Sequence, residues 1–389
     1  MQAIVRGLAL GYLCLFGVLV QAENWVIPER NEAFKDYLTR AESYLLGAKQ
    51  WVNEANKAQE LAAVMPFELL PNADCNGSRK GVLLAHGLSD SPYSMGSVAR
   101  ALNQQCLHVR VILLPGHGTK AEDLITVSRD DWRLAFSNAA QGLAAEVDQL
   151  YVGGFSTGGA LALEYASQQP DKVQGALLFS PVLKINSSID WLASWIAPMV
   201  TWLDHLPTDD YAKYASIPVP AIAEVYSLAK EINAELQEQP NSQVPVFIAM
   251  SEEDDTVDSS VTQRVFTKRL THPMSQLIVY SATRSSYARN REKVQNVFFP
   301  EQKVLGLSHM AVHGSPEDAH YGRQGDYRVC SWYVSTPELL QQCKQASINW
   351  YGEKSPALSE KSPYAARITW NPLFTELMQD LVTFIEVNQ

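Results

Sequence analysis

Ser156 stands in Gly154-Phe155-Ser156-Thr157-Gly158, a G-x-S-x-G spacing that can present a serine as a nucleophile on a tight strand-to-helix turn. A serine hydroxyl attacks only when a neighbouring base removes its proton and a third group orients that base. The chain should therefore supply an acid and then a histidine after the serine. An acidic stretch, Ser251-Glu252-Glu253-Asp254-Asp255-Thr256-Val257-Asp258, offers Asp254, with Asp255 as the alternative, although a solvated acidic turn would also explain its neighbours. Further on, Leu305-Gly306-Leu307-Ser308-His309-Met310-Ala311-Val312 is an apolar run broken by Ser-His. His309 there would take the proton from Ser156 and return it to a leaving group. His313 and His320 read as loop or surface residues, and His272 as the end of a helix, where a histidine often caps.

Acyl chemistry also builds negative charge on a carbonyl oxygen, which needs donors already in place. The residue after the serine supplies one backbone N–H, that of Thr157. The loop after the first core strand supplies the other, and Leu88, following His86-Gly87, is the candidate. His86 reads as a structural residue pinning that loop. His117, in Pro115-Gly116-His117-Gly118, reads as part of a turn.

The elements that must position these groups are legible around them. Residues 149–153 form a short apolar run before the serine, and residues 160–166 a helical pattern after it. Glycines at the flanking positions remove the Cβ atoms that so tight a turn would bring into collision. Apolar strand patterns recur at 81–85, 109–114, 175–180, 244–250 and 276–280, with helical patterns at 95–105 and 129–145. Apolar strands separated by helices predict a mostly parallel sheet covered on both faces. A carboxylate just past the strand at 244–250 then lies on the edge where such sheets bind ligands.

Residues 31–63 read as one amphipathic helix, with Phe34, Leu38, Ala41, Leu45, Ala48 and Val52 recurring every three or four positions. Two stretches interrupt the strand–helix rhythm. Residues 183–243 carry Trp191, Trp195, Met199 and Trp202 at near-helical spacing, which packing or a substrate channel would explain. Residues 314–365 are rich in turn residues and contain Cys330 and Cys343. Unpatterned stretches of that length in a compact domain are usually functional or disordered, and a disulfide favours an ordered loop on the rim of the site.

Net charge is −11, with 31 Lys and Arg against 42 Asp and Glu. That balance, without any basic block, argues against nucleic acid or an anionic membrane as the main partner. Arg6 followed by the apolar run 7–20 and then Val20-Gln21-Ala22 predicts a signal peptide cleaved after Ala22. Its loss leaves Cys75, Cys106, Cys330 and Cys343, an even count that suggests two disulfides in an exported protein. Three pairings are open, with proximity in sequence favouring Cys75–Cys106 and Cys330–Cys343. No metal-ligand spacing is present, so no metal is expected.

The stretch 86–95 (His86-Gly87-Leu88-Ser89-Asp90-Ser91-Pro92-Tyr93-Ser94-Met95) resembles the oxyanion segment of bacterial carboxylesterases and monoacylglycerol lipases. So do Pro115-Gly116-His117-Gly118-Thr119, Glu122-Asp123-Leu124 and Asp131-Trp132, in the order that the group shows. The D-x-x-V spacing from Asp254 to Val257 resembles its acid loop, which makes Asp254 the first choice, and 305–312 resembles its histidine loop. The resemblance implies an α/β-hydrolase fold with a small helical cap, a Ser156-Asp254-His309 triad, oxyanion donors at Leu88 and Thr157, and no cofactor. It implies cleavage of small-molecule or lipid esters with short to medium acyl chains, or of monoacylglycerols. Peptidase, lysophospholipase and thioesterase activities share the same scaffold, and a non-catalytic binding protein is the remaining reading. The expected layout is a signal peptide at 1–22, a helical extension at 23–66 and a hydrolase domain at 67–389. That domain carries a cap at 183–243 and a disulfide-containing insertion at 314–365. The periplasm or the exterior is the expected location, and transient contact with a lipid surface is left open. Residues 281–304 depart from the group, because the last core strand would normally lead almost directly to the histidine.

Overall fold

Val82 and Leu84 pack on one side of their strand, Leu83 and Ala85 on the other, and both sides are buried. That is why the run has no polar break: a strand covered on both faces has no solvent side. The computed structural model describes residues 25–388, except 76, 188, 190, 191, 204, 205, 207, 208 and 242. The predicted signal peptide and Trp191 lie outside the described residues.

The main sheet contains β1 (Phe67–Leu69), β2 (Lys80–Ala85), β3 (His108–Ile112), β4 (Gln149–Phe155) and β5 (Val173–Phe179). It continues with β6 (Val246–Ser251), β7 (Gln276–Ser281), β8 (Tyr287–Arg289) and β9 (Glu292–Asn296). Their spatial order is β1-β3-β2-β4-β5-β6-β7-β9-β8. All neighbours are parallel except the two edge pairs, β1–β3 and β8–β9. Residues 281–304, the departure noted in the sequence, thus extend the sheet edge by two strands before the chain returns to the histidine.

The extension before the sheet is two helices, α1 (Phe34–Ala48) and α2 (Lys57–Val64), and not the single one expected. The break has polar causes. Asn53 accepts a hydrogen bond from the Ala55 N–H, starting a new turn, and the buried Glu60 carboxylate accepts from the Val52 and Asn53 N–H groups. Asn is a strong helix-start residue, and the apolar periodicity alone did not carry that signal. Helices α3 (Gly96–Asn103), α4 (Arg129–Ala144) and α5 (Thr157–Gln168) follow β2, β3 and β4. In α4 the Ser128 hydroxyl and the Asp131 carboxylate form a reciprocal capping box.

Between β5 and β6 the chain forms α6 (Ala193–Ile196) and the long α7 (Val219–Glu238). Helix α7 buries Val225, Leu228, Ile232 and Leu236 in the same core as α4 and α5. Helix α8 (Ser259–Arg269) follows β6, with Asp258 as its cap. In the second insertion lie α9 (Pro337–Gln345) and α10 (Pro356–Lys361). The last helix, α11 (Phe374–Val387), covers the opposite sheet face with α3, burying Leu377, Leu381 and Phe384. A second, small sheet of β10 (Phe298–Phe299), β11 (Val304–Leu305), β12 (Tyr351–Gly352) and β13 (Ala366–Arg367) stitches the C-terminal part of this insertion to the segment just before the histidine loop.

Disulfides join Cys75 to Cys106 and Cys330 to Cys343, the pairing that proximity favoured. Trp195 and Met199 are 73% and 80% exposed, so they neither pack the cap nor line a channel. Trp202 is partly buried against the main core. Among the described residues no helix is long and apolar enough to cross a membrane. Glu68, His108 and Glu146 bring possible ligand atoms within 4.8 Å of one another at the β1–β3 edge. The cation among them is a guanidinium: Arg110 donates to Glu68 at 2.6 Å and to Glu146 at 2.7 Å.

Candidate active site

Ser156 sits between β4 and α5 with φ 52° and ψ −112°, a backbone conformation that a residue with a Cβ rarely adopts. The surrounding structure holds it there. Its N–H donates to the Phe179 carbonyl at 3.0 Å, and its carbonyl accepts from the Ala160 and Val182 N–H groups. The flanking glycines are required by close approach. A Cβ on Gly154 would lie 2.3 Å from the Ala85 carbonyl oxygen, and one on Gly158 would lie 2.2 Å from the same atom. Helix α5 can therefore start directly against the end of β2.

Asp254 follows the end of β6, and its carboxylate is buried. Oδ1 accepts from the Thr256 and Val257 N–H groups, both at 2.9 Å. Oδ2 faces His309 Nδ1 at 2.6 Å, and His309 Nε2 faces Ser156 Oγ at 3.0 Å. Asp255, the alternative acid, is half-exposed and pairs with Arg367 instead. Three serines fix the histidine loop: Ser180 Oγ donates to the His309 carbonyl, Ser251 Oγ to that of Leu307, and Ser308 Oγ to that of Ile368. The Phe155 ring packs against both His309 and His313.

The N–H groups of Leu88 and Thr157 find no backbone acceptor among the described residues, and both residues line the cavity that holds Ser156. Two histidines shape the Leu88 loop. His86 accepts from the Leu114 N–H at 3.0 Å and holds the Gly87 carbonyl through Nδ1 at 2.8 Å. His117 accepts from the Ser89 N–H at 3.1 Å and holds the Pro115 carbonyl at 3.0 Å. Burial depresses both pKa values, that of His86 far below its usual value and that of His117 to about 4. Each is thus a neutral clamp with one donor and one acceptor nitrogen. His313 lies beside the site, but burial first, then the charges of His309 and Lys213, lowers it to about 3.

Above Ser156 and His309 lies a cavity of about 480 Å³, within the size range of small-molecule sites. Its apolar wall comes from Val182, Ile185, Ile217, Ile222, Val225 and Val257. The insertion supplies Tyr327, Val329, Val334 and Leu340, so residues 314–365 wall the site and are not merely an external loop. A clasp that the sequence did not reveal joins the two walls. Asp210 accepts from Tyr321 Oη at 2.6 Å and meets His320 Nε2 at 3.0 Å, while Asp326 meets the other nitrogen of His320 at 2.5 Å. Asp209 accepts from Tyr327 Oη at 2.7 Å and pairs with Lys344. His320 thus lies in a loop, as one of the two expectations had it, but is buried. No spacing rule could have found the pairs made by Asp209 and Asp210, which join positions more than a hundred residues apart.

Residues 76–212 match a family described as "Serine aminopeptidase, S33". A thermostable monoacylglycerol lipase from a Bacillus species is 27% identical over 199 residues, covering 48% of this chain and 75% of that protein. Among solved structures, one described as LipS and LipT, metagenome-derived lipolytic enzymes, is 24% identical with a TM-score of 0.49, covering 55% of this chain and 86% of its own. A Paleococcus ferrophilus monoacylglycerol lipase is 16% identical with a TM-score of 0.45, covering 60% and 91%. With its mostly parallel sheet, its serine elbow and this likeness in sequence, the chain has an α/β-hydrolase fold and resembles the monoacylglycerol-lipase branch of those enzymes.

Proposed function

We propose that the protein is an exported serine hydrolase that cleaves carboxylic esters of short to medium acyl chains, monoacylglycerols among them. One observation carries this reading: the Ser156–His309–Asp254 hydrogen-bonded series opens into a mostly apolar cavity beside two backbone N–H groups, of Leu88 and Thr157, that find no backbone acceptor among the described residues. His309 Nε2 takes the Ser156 proton as Oγ bonds to the ester carbonyl carbon. Asp254 stabilises the imidazolium and holds its tautomer. The Leu88 and Thr157 N–H groups receive the oxyanion. The C–O bond then breaks, and His309 gives its proton to the leaving alkoxide. Water, deprotonated by His309, attacks the acyl carbon, the bond to Oγ breaks, and His309 returns the proton to Ser156 as the acid leaves. Two disulfides are compatible with the export that the N-terminal signal pattern predicts.

An aminopeptidase would hold a substrate ammonium with free carboxylates in the cavity. Asp209 and Asp210 line it, but both are committed to the insertion clasp. Glu224 faces Arg129 instead. The ester reading is therefore preferred. Hydrolysis of p-nitrophenyl esters from acetate to palmitate tests it, with Ser156→Ala alongside. A peak at one chain length that vanishes in the variant is expected; equal traces from both proteins would overturn the reading.

A further inference from the structure

Lys213 is a cation with no direct ion-pair partner among the described residues, although Asp90 and Asp210 lie near enough to favour its charge. It lines the cavity that contains Ser156 and His309, and it also borders the two small clefts behind the Leu88 loop. Among the described residues, no hydrogen bond reaches its ammonium and no carboxylate comes within ion-pair distance of it. The acids around it are otherwise engaged. Both oxygens of Asp210 are taken by the Ala212 N–H, His320 and Tyr321. Asp90 is buried and its pKa is pushed up to about 6, burial outweighing the pull of Lys213. The other cation nearby, Arg367, is already matched by Glu353 and Asp255, and Lys344 by Asp209.

The segment that carries Lys213 is also held rigidly. On one side Asp210 is clasped by the insertion. On the other the Tyr214 N–H donates to the Ser89 carbonyl at 2.8 Å, and Tyr214 Oη accepts from the Thr119 N–H at 2.8 Å. The Tyr214 ring stacks on His117. Burying an unpaired charge is unfavourable, so an ammonium held at a cavity wall gains by meeting an anion there. Here the backbone on both sides is pinned, and burial pushes the ammonium's pKa down. A partly exposed ammonium on the cavity wall beside a reactive serine, with no hydrogen bond or ion pair of its own among the described residues, is what a site for an anionic group requires.

Resting on the ester-hydrolase reading, we infer that the polar end of the cavity takes an anionic group. The substrate class is an acyl ester whose leaving alcohol carries a phosphate or carboxylate, with Lys213 as its binding residue. The apolar wall then takes the acyl chain, and the polar end, with Lys213, Tyr327 and the clasp, takes the alcohol.

The test uses two non-hydrolysable amphiphiles, so it does not depend on turnover. Binding of decyl phosphate and of its neutral counterpart 1-O-decylglycerol is measured by calorimetry on the mature protein, on Lys213→Met and on Lys213→Arg. Decyl phosphate should bind about tenfold more tightly to the wild type, the size of one charge-assisted contact. Lys213→Met should erase the difference and Lys213→Arg should keep most of it. Undecanoate in place of the phosphate separates the two anion types, and preference for either one supports the site. Equal wild-type affinity for the charged and neutral amphiphiles overturns the inference, even if Lys213→Met does not fold. A difference that survives in a folded Lys213→Met also overturns it. Loss of ester turnover with the binding preference intact would sink the hydrolase reading alone.

Discussion

Asp254 and Asp255 are adjacent in sequence, and exchanging each in turn for asparagine separates their roles. Asp254 Oδ1 accepts two backbone N–H groups, so in Asp254→Asn the amide oxygen stays committed to that turn. The new NH₂ group is then turned toward His309 Nδ1, where the carboxylate now stands at 2.6 Å. Two donors cannot share that contact, so the imidazole must place its proton on Nε2, opposite Ser156 Oγ, and stops being a base. The same tautomer inversion in the Ser-His-Asp template lowers kcat by about 10⁴-fold, or about 5.5 kcal/mol on the barrier. Asp255 is half-exposed and faces Arg367, which keeps Glu353 as a second partner. Asp255→Asn should lower stability by about 0–1 kcal/mol, as exposed ion pairs do, and change kcat by less than about threefold. The assay is steady-state hydrolysis of p-nitrophenyl butyrate, with urea unfolding to show that both variants fold. Equal losses in the two variants, or the larger loss in Asp255→Asn, would refute the reasoning.

Two further outcomes follow from the packing and from the clasp. In Gly158→Ala the new methyl would lie 2.2 Å from the Ala85 oxygen and 2.6 Å from the His86 oxygen; urea unfolding should show a loss of about 1–3 kcal/mol or more, and an unchanged midpoint would contradict the elbow geometry. For His320, burial opposes the charge, but the carboxylates of Asp210 and Asp326 outweigh it and raise the pKa above 6.5. A raised histidine pKa stabilises the fold fully below about pH 6.5, and that contribution is lost as pH rises through the folded value. Asp90 and Glu353, raised mainly by burial to about 6 and about 7, titrate in the same window. The readout is therefore the wild-type urea midpoint from pH 6 to 9 minus that of His320→Gln: a falling difference is expected, and parallel curves would count against the clasp.

How much of this was legible beforehand depends on the range of the interaction. The serine elbow and the strand runs around it are written in local spacing. A tight turn needs glycines at fixed offsets, and a strand buried on both faces needs an unbroken apolar run, whatever lies elsewhere in the chain. The break between α1 and α2 was missed because apolar periodicity continued across it, while the deciding groups, Asn53 and Glu60, were polar.

What only the tertiary structure decided concerns residues brought together from afar. Asp254 and Asp255 have nearly the same sequence context, and only the fold turns one toward His309 and the other toward Arg367. The tryptophans of the cap carry a helical spacing, yet Trp195 faces solvent, which its spacing could not show. The polar end of the cavity, with Lys213 at its wall and Asp210 tied to His320 and Tyr321, joins a segment after β5 to an insertion before α11. Sequence alone made the serine turn legible as a candidate site, because a nucleophile and its turn are local. The walls of the cavity were set by tertiary packing, because a side chain's partner is fixed by where distant segments meet and not by spacing along the chain.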